Sequence, residues 1–110
     1  MKVLDEISEE SRKALREMGP NEAWLDAERV GLPLVVRGRA AGERWQPLGM
    51  LEHTQSLQDF LINEKVPAHL REVWPLVCFE GQVAWVVGLR PSEAFKVRED
   101  TQRVMCLKVV

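Results

Sequence analysis

The sequence predicts a β-rich α+β domain, small and sandwich-like, with two or three short helices. From Glu22 onward the apolar residues fall in short runs broken by Gly and Pro, the texture of a compact β-rich module. The strongest runs, Leu76-Val77-Cys78-Phe79 and Val83-Ala84-Trp85-Val86-Val87, flank Glu80-Gly81 as the arms of a hairpin flank its turn. A length of 110 residues, 45% hydrophobic and 29% charged, suits one core and is too short for a second domain of ordinary size.

In chain order, residues 8–18 read as an amphipathic helix. Ser8 stands as its N-cap, Glu9 and Glu10 occupy its first turn, and Gly19-Pro20 stops it. Ile7, Ser11, Ala14, Leu15 and Met18 form a narrow apolar stripe, so residues 1–20 are expected to be a docking helix or linker and residues 21–110 the domain. Ala23-Trp24-Leu25 and Leu34-Val35-Val36-Arg37 are the first strands, and the Gly-rich segment 38–52 is expected to be a loop. Ser56 caps a helix in which Leu57, Phe60 and Leu61 share a face and Asp59 stands at the capping-box position. A second helix is expected from Pro67 through Leu70, Val73 and Trp74 until Pro75 ends it. Both hairpin arms are continuously apolar, which predicts burial on both faces. Residues 103–110 close the domain with a last strand.

The bulk charge is −2, without the global basic footprint that phosphate binding favours. The distribution matters more. Residues 1–30 hold eight carboxylates against five Lys/Arg, whereas residues 31–110 hold nine against ten, so the acidity is N-terminal. No apolar run approaches the ~20 residues that cross a bilayer, and the acidic N-terminus is unlike a secretory signal; a cytoplasmic address is expected. Cys78 and Cys106 sit in apolar strand-like surroundings, favour reduced core thiols over a disulfide, and are too few for a zinc motif.

The most unusual stretch is Arg37-Gly38-Arg39-Ala40-Ala41-Gly42-Glu43-Arg44-Trp45, where three arginines leave a strand and enter a Gly-rich loop. If the strand persists, Arg37 and Arg39 point to one face, and their planar donors suit phosphate oxygens. Trp45, if exposed, offers a ring for a sugar or base to stack on. The plainer alternative is a solvated, salt-bridged surface in which Glu43 neutralises one arginine. For Trp24, Trp74 and Trp85 a place in the core is the simpler reading. No nucleophile with its base, no dinucleotide or Walker pattern and no metal cage is visible: His53 stands alone, and His69 with Glu72 supplies too few ligands.

Four ordered blocks then resemble one family. Arg37-x-Arg39-x-x-Gly42-Glu43-Arg44-x-x-Pro47-Leu48-Gly49-Met50 is followed by Leu57-x-Asp59-Phe60-x-x-x-x-Lys65-Val66-Pro67, Arg71-x-x-Trp74-Pro75-Leu76-Val77 and Trp85-Val86-Val87-Gly88-Leu89-Arg90. Their order and spacing are similar to the C-terminal domain of bacterial tRNA(Ile)-lysidine synthase, over about residues 23–109. The resemblance implies a β-sandwich-type fold of unusual topology, related to a module of the phenylalanyl-tRNA synthetase β subunit. It also implies a non-catalytic domain that holds tRNA(Ile) on the acceptor-stem side. A separate PP-loop domain uses ATP to activate the wobble cytidine and joins lysine to it. That domain's Ser-Gly-Gly-x-Asp-Ser motif does not occur here, so no cofactor site is expected in this chain.

Carried over by position, the implied RNA contacts are Arg37, Arg39, Arg44, Lys65, Arg71 and Arg90, while Gly42, Pro47, Gly49, Pro67 and Pro75 shape the backbone. Gln55, Ser56 and Ala94 stand where the family often carries basic residues, which implies weak, salt-sensitive binding by the domain alone. The expected partners are tRNA(Ile) and the PP-loop domain, in the same chain or another. The alternative is a non-catalytic protein-interaction module, with the N-terminal stripe serving docking or a homodimer.

Overall fold

The computed structural model describes residues 2–4 and 21–109; the helix expected over residues 8–18 lies outside them. Strand β2 (Glu22–Asp26) alternates as a half-buried strand should, with Ala23 and Leu25 fully enclosed. It pairs antiparallel along its whole length with β9 (Val104–Lys108), and β9 pairs on its other side with β1 (Lys2–Leu4), giving the order β1-β9-β2.

A second antiparallel sheet has the order β3-β6-β7-β8, made of β3 (Val35–Arg37), β6 (Leu76–Phe79), β7 (Gln82–Val86) and β8 (Arg90–Pro91). The expected hairpin is β6-β7. Its turn residues Glu80 and Gly81 both have positive φ, 50° and 80°, the conformation that matches the right-handed twist of the flanking strands. Between Val77 and Cys78 the register slips by a bulge. Because of it Ala84 and Trp85, adjacent in sequence, serve the same core, while Val83 and Val86 serve the other.

Those two cores explain the unbroken apolar arms. Val77, Ala84 and Trp85 pack with Ala23, Leu25, Met105 and Leu107 of the first sheet. Leu76, Cys78, Val83 and Val86 face the other way, onto Trp45, Leu57, Phe60, Leu61 and Val66. The hairpin is thus the middle of three layers, covered on both faces. The third layer is the ribbon β4 (Arg44–Trp45) with β5 (Gln55–Ser56), followed by helix α1 (Leu57–Asn63). Ser56 caps that helix as expected, its Oγ accepting from the Asp59 N–H at 3.0 Å.

Two expectations are corrected here. The segment 38–52 is not all loop, since β4 lies within it. The second helix, expected from Pro67 to Trp74, is reduced to a 3-10 turn at Ala68–Leu70. The Trp74 indole N–H donates to the Val87 carbonyl at 2.9 Å and the Val87 N–H to the Pro75 carbonyl at 3.2 Å, which draws the chain off a helical path into β6. Both cysteines are reduced, with Cys78 buried and Cys106 half-buried.

Candidate nucleic-acid interface

Register alone places two of the predicted basic residues. Arg37 pairs with Leu76, Leu76 with Val86, and Val86 with Arg90, so the four form one row across the sheet. Directly opposed residues share a face, and Leu76 and Val86 belong to the core under α1. Arg37 and Arg90 therefore stand on the α1 side at the two edges of the sheet, three strand spacings or about 14 Å apart along the backbone. Arg44 sits opposite Ser56, at the start of α1, and Lys65 follows its C-cap, Glu64. Helix α1 separates those two by roughly 10 Å at 1.5 Å per residue. The basic residues ring the third layer instead of clustering.

Each guanidinium but one has a described partner that holds it. Arg37 grips Glu43 with both terminal nitrogens, at 2.8 and 2.7 Å, and also donates to the Gly38 carbonyl. The hydrogen bond to Glu43 raises the Arg37 pKa further above its ordinary value, and the same bond holds the Glu43 carboxyl below the usual carboxylate range. Glu43 additionally accepts from the Ala40 N–H, closing the loop, and Gly42 at φ 73° makes the reversal that this needs. Arg44 donates from Nε and one Nη to the Thr54 hydroxyl and carbonyl. Arg71 Nε donates to the Val66 carbonyl at 3.0 Å. Arg90 lies 5.8 Å from the centre of the Phe60 ring and 3.8 Å from the Glu64 carboxylate. Arg39 is the exception, its Nε buried and without a partner among the described residues.

Three site expectations change. Strand β3 ends at Arg37, and a Cβ at Gly38 would lie 2.3 Å from the Glu72 carbonyl oxygen, so strand alternation does not carry Arg39 to the face of Arg37. Only glycine permits that approach. Trp45 is not exposed: it is 5% accessible and meets the Phe60 ring edge-on at 4.9 Å, which removes it as an open stacking platform. Trp24, expected in the core, is only half-buried. His69 lies in the 3-10 turn, and among the described residues no group of His, Cys, Asp or Glu could hold a metal.

Pro47 is fully buried and bridges to Ser92, Gly49 has φ 96°, and Pro67 precedes the 3-10 turn. The sequence reading missed Glu93. It is 7% exposed, accepts from the Gly49 N–H at 3.1 Å and is bonded to Lys96, thereby fixing the 47–50 turn. Burial pushes its carboxyl up, and the bonds from Lys96 and Gly49 outweigh that to leave it lowered. Its local trace was a Glu-x-x-Lys spacing; its target lies 44 residues away.

The chain is similar to known proteins in sequence and in fold. Residues 34–107 match the family model described as the TilS substrate C-terminal domain. A tRNA(Ile)-lysidine synthase of Clostridium acetobutylicum is 35% identical over 89 residues, covering 81% of this chain and 19% of that protein. The chain thus spans about a fifth of the length of that curated relative. A crystal structure of a TilS C-terminal domain superposes with a TM-score of 0.75 at 27% identity, over 96% of this chain and 77% of that one. An N-terminal fragment of the phenylalanyl-tRNA synthetase β subunit from Pyrococcus horikoshii shares the fold, with a TM-score of 0.63 at 22% identity over 77% of this chain and 26% of that one.

Proposed function

Since the chain belongs to the family of C-terminal domains of tRNA(Ile)-lysidine synthases, we propose that it grips tRNA(Ile) on the acceptor-stem side while a PP-loop domain joins lysine to the distant wobble cytidine. ATP and lysine bind that other domain, and this chain supplies no reacting group. The observation that carries the reading is the ring of cations around α1, in which Arg44, Arg71 and Arg90 are each fixed by a neighbour yet keep further N–H groups for a partner. Guanidinium groups ordered before binding lose less rotamer entropy when they meet phosphate. Arg37 spends both of its terminal nitrogens on Glu43, so its part is to hold the loop that carries Arg39.

Reversing Arg39, Arg44 and Arg90 together to Glu tests the surface. The wild-type chain is expected to bind tRNA(Ile) weakly at low salt, with an affinity that falls as salt rises. Replacing each contacting cation removes about one unit from the logarithmic salt slope, and the triple reversal abolishes binding. A triple variant that keeps wild-type affinity in filter binding at low salt overturns the reading.

A further inference from the structure

A cleft of about 240 Å³ opens beside Arg44, between β4, the start of β7 and residues 92–94. Trp45, Val83 and Ala94 contribute its apolar lining, and Gln46 and Gln82 contribute amides. Glu43 lines it too, but the paired Arg37 neutralises that carboxylate, so the cleft does not repel an anion. Gly81 lines it as well, and a Cβ there would meet nothing within 4 Å.

The polar groups are of the kind that reads an edge. The amide nitrogen of Gln46 donates to the Met50 and Leu51 carbonyls at 2.6 and 3.0 Å, which orients the amide and leaves its oxygen as an acceptor. Ser92 Oγ accepts from the Ala94 N–H, so its own O–H remains a donor. Gln82 is exposed at the head of β7 and brings an amide with both functions. Arg44 reaches Thr54 with Nε and one Nη, and its other Nη is left for a phosphate at the rim. Apolar lining, mixed donors and acceptors and an adjoining cation are the features that hold an unstacked nucleotide. The volume lies below the ~300–1,000 Å³ of sites for drug-sized ligands, enough for one base and not for a longer segment.

We propose that this cleft takes one unstacked nucleotide of the bound RNA, its base set on the small accessible edges of Trp45, Val83 and Ala94 without ring-on-ring stacking, beside the Gln46 and Gln82 amides, and its phosphate on Arg44. The proposal rests on the RNA-contacting reading above. It adds an element of selection that the ring of cations lacks, because the cations meet backbone and the cleft meets a base.

Two measurements on the 110-residue chain test it. In amide-resolved NMR, titration with each of the four nucleoside monophosphates should shift Trp45, Gln82, Val83 and Ala94, with one base favoured, and Gln82→Trp should abolish the shifts. Tryptophan suits an exposed strand position, so the fold is kept. In filter binding, a base-paired acceptor-stem helix with an unpaired 3′ extension should bind about fivefold or more tightly than the same helix cut blunt. Gln82→Trp should erase that preference and leave blunt-helix binding unchanged. Equal affinity for the two helices, or shifts that map away from the cleft, overturns the proposal while leaving the ring of cations intact. If neither helix binds, the RNA-contacting reading itself fails, and the mononucleotide titration still decides whether the cleft takes a base.

Discussion

The two faces of the β6-β7 hairpin use polar groups in opposite ways. On the side of the three-stranded sheet, the Asp26 carboxylate is 3% exposed, and both of its oxygens are engaged within the chain, one of them also by Arg29 at 3.7 Å. One oxygen accepts from the Glu28 N–H at 2.8 Å, the other from the Thr101 hydroxyl at 3.0 Å, and Thr101 in turn accepts from the Arg98 N–H at 2.8 Å. On the α1 side Arg44, Arg71 and Arg90 stand at the perimeter, each held by one or two contacts and each with N–H groups to spare. A polar group buried with its bonds made inside the chain is structural, since a further partner could reach it only by displacing a neighbour. One that is fixed and still under-used is ready for a ligand. The contrast assigns stability to the first face and recognition to the second.

The largest effects come from breaking each core in turn. Leu25→Ala empties a fully enclosed site on the sheet side and should lower stability by about 2–5 kcal/mol in urea unfolding. Phe60→Ala on the other side should lower it by about 3–5 kcal/mol. The two should differ in RNA affinity measured where both remain folded. Phe60 supports the Trp45 ring and lies under Arg90, so its loss frees that guanidinium and weakens tRNA binding, whereas Leu25→Ala leaves binding unchanged. Equal loss of affinity in the two variants would erase the division between the faces.

A smaller effect sharpens the structural side. Asp26→Ala leaves the Thr101 hydroxyl and the Glu28 N–H without their acceptor, and should remove about 1–3 kcal/mol of stability. Unfolding midpoints of Asp26→Ala, Thr101→Ala and the double variant make the check. Substitutions that share one network should fall short of additivity by more than ~0.5 kcal/mol; strict additivity would show that Asp26 and Thr101 act apart.

The division into faces was only partly legible in the sequence. Continuous apolar arms around Glu80-Gly81 disclosed a hairpin buried on both sides, and Ser56 with Asp59 disclosed α1, because caps and periodicity act within a few residues. Trp45 misled for the same reason: in a two-residue strand between Arg44 and Gln46 no periodicity tells a buried ring from an exposed one. The expected helix after Pro67 had adequate local spacing, and contacts from Trp74 and Pro75 to Val87 overrode it. The row that runs Arg37, Leu76, Val86, Arg90 is a property of strand order, and the hold of Glu93 on Gly49 spans 44 residues; neither leaves a local trace sufficient to find it.

The smallest expected effect concerns the one ion pair that belongs to both roles. Arg37 and Glu43 are joined at 2.7 Å, with Arg37 still about a third exposed, so their bond lies between a surface pair and a buried one and is worth about 1 kcal/mol. Glu43 has its pKa lowered in the folded chain, first by the hydrogen bond from Arg37. A carboxyl held lower when folded than when unfolded contributes stability above its unfolded value, and that contribution is lost as the pH falls through the folded one. The raised Arg37 titrates far above this range and adds nothing to the slope there. Glu43→Gln should therefore be less stable than wild type near neutral pH, and the gap should close as the pH falls below the usual carboxylate range. The remaining carboxylates titrate in both proteins, so the difference between their unfolding midpoints isolates the pair. A gap that stays constant from neutral to acid pH would mean that the charge on Glu43 carries no stability in the folded chain, and Arg37 would then be available to RNA like the other cations of the ring.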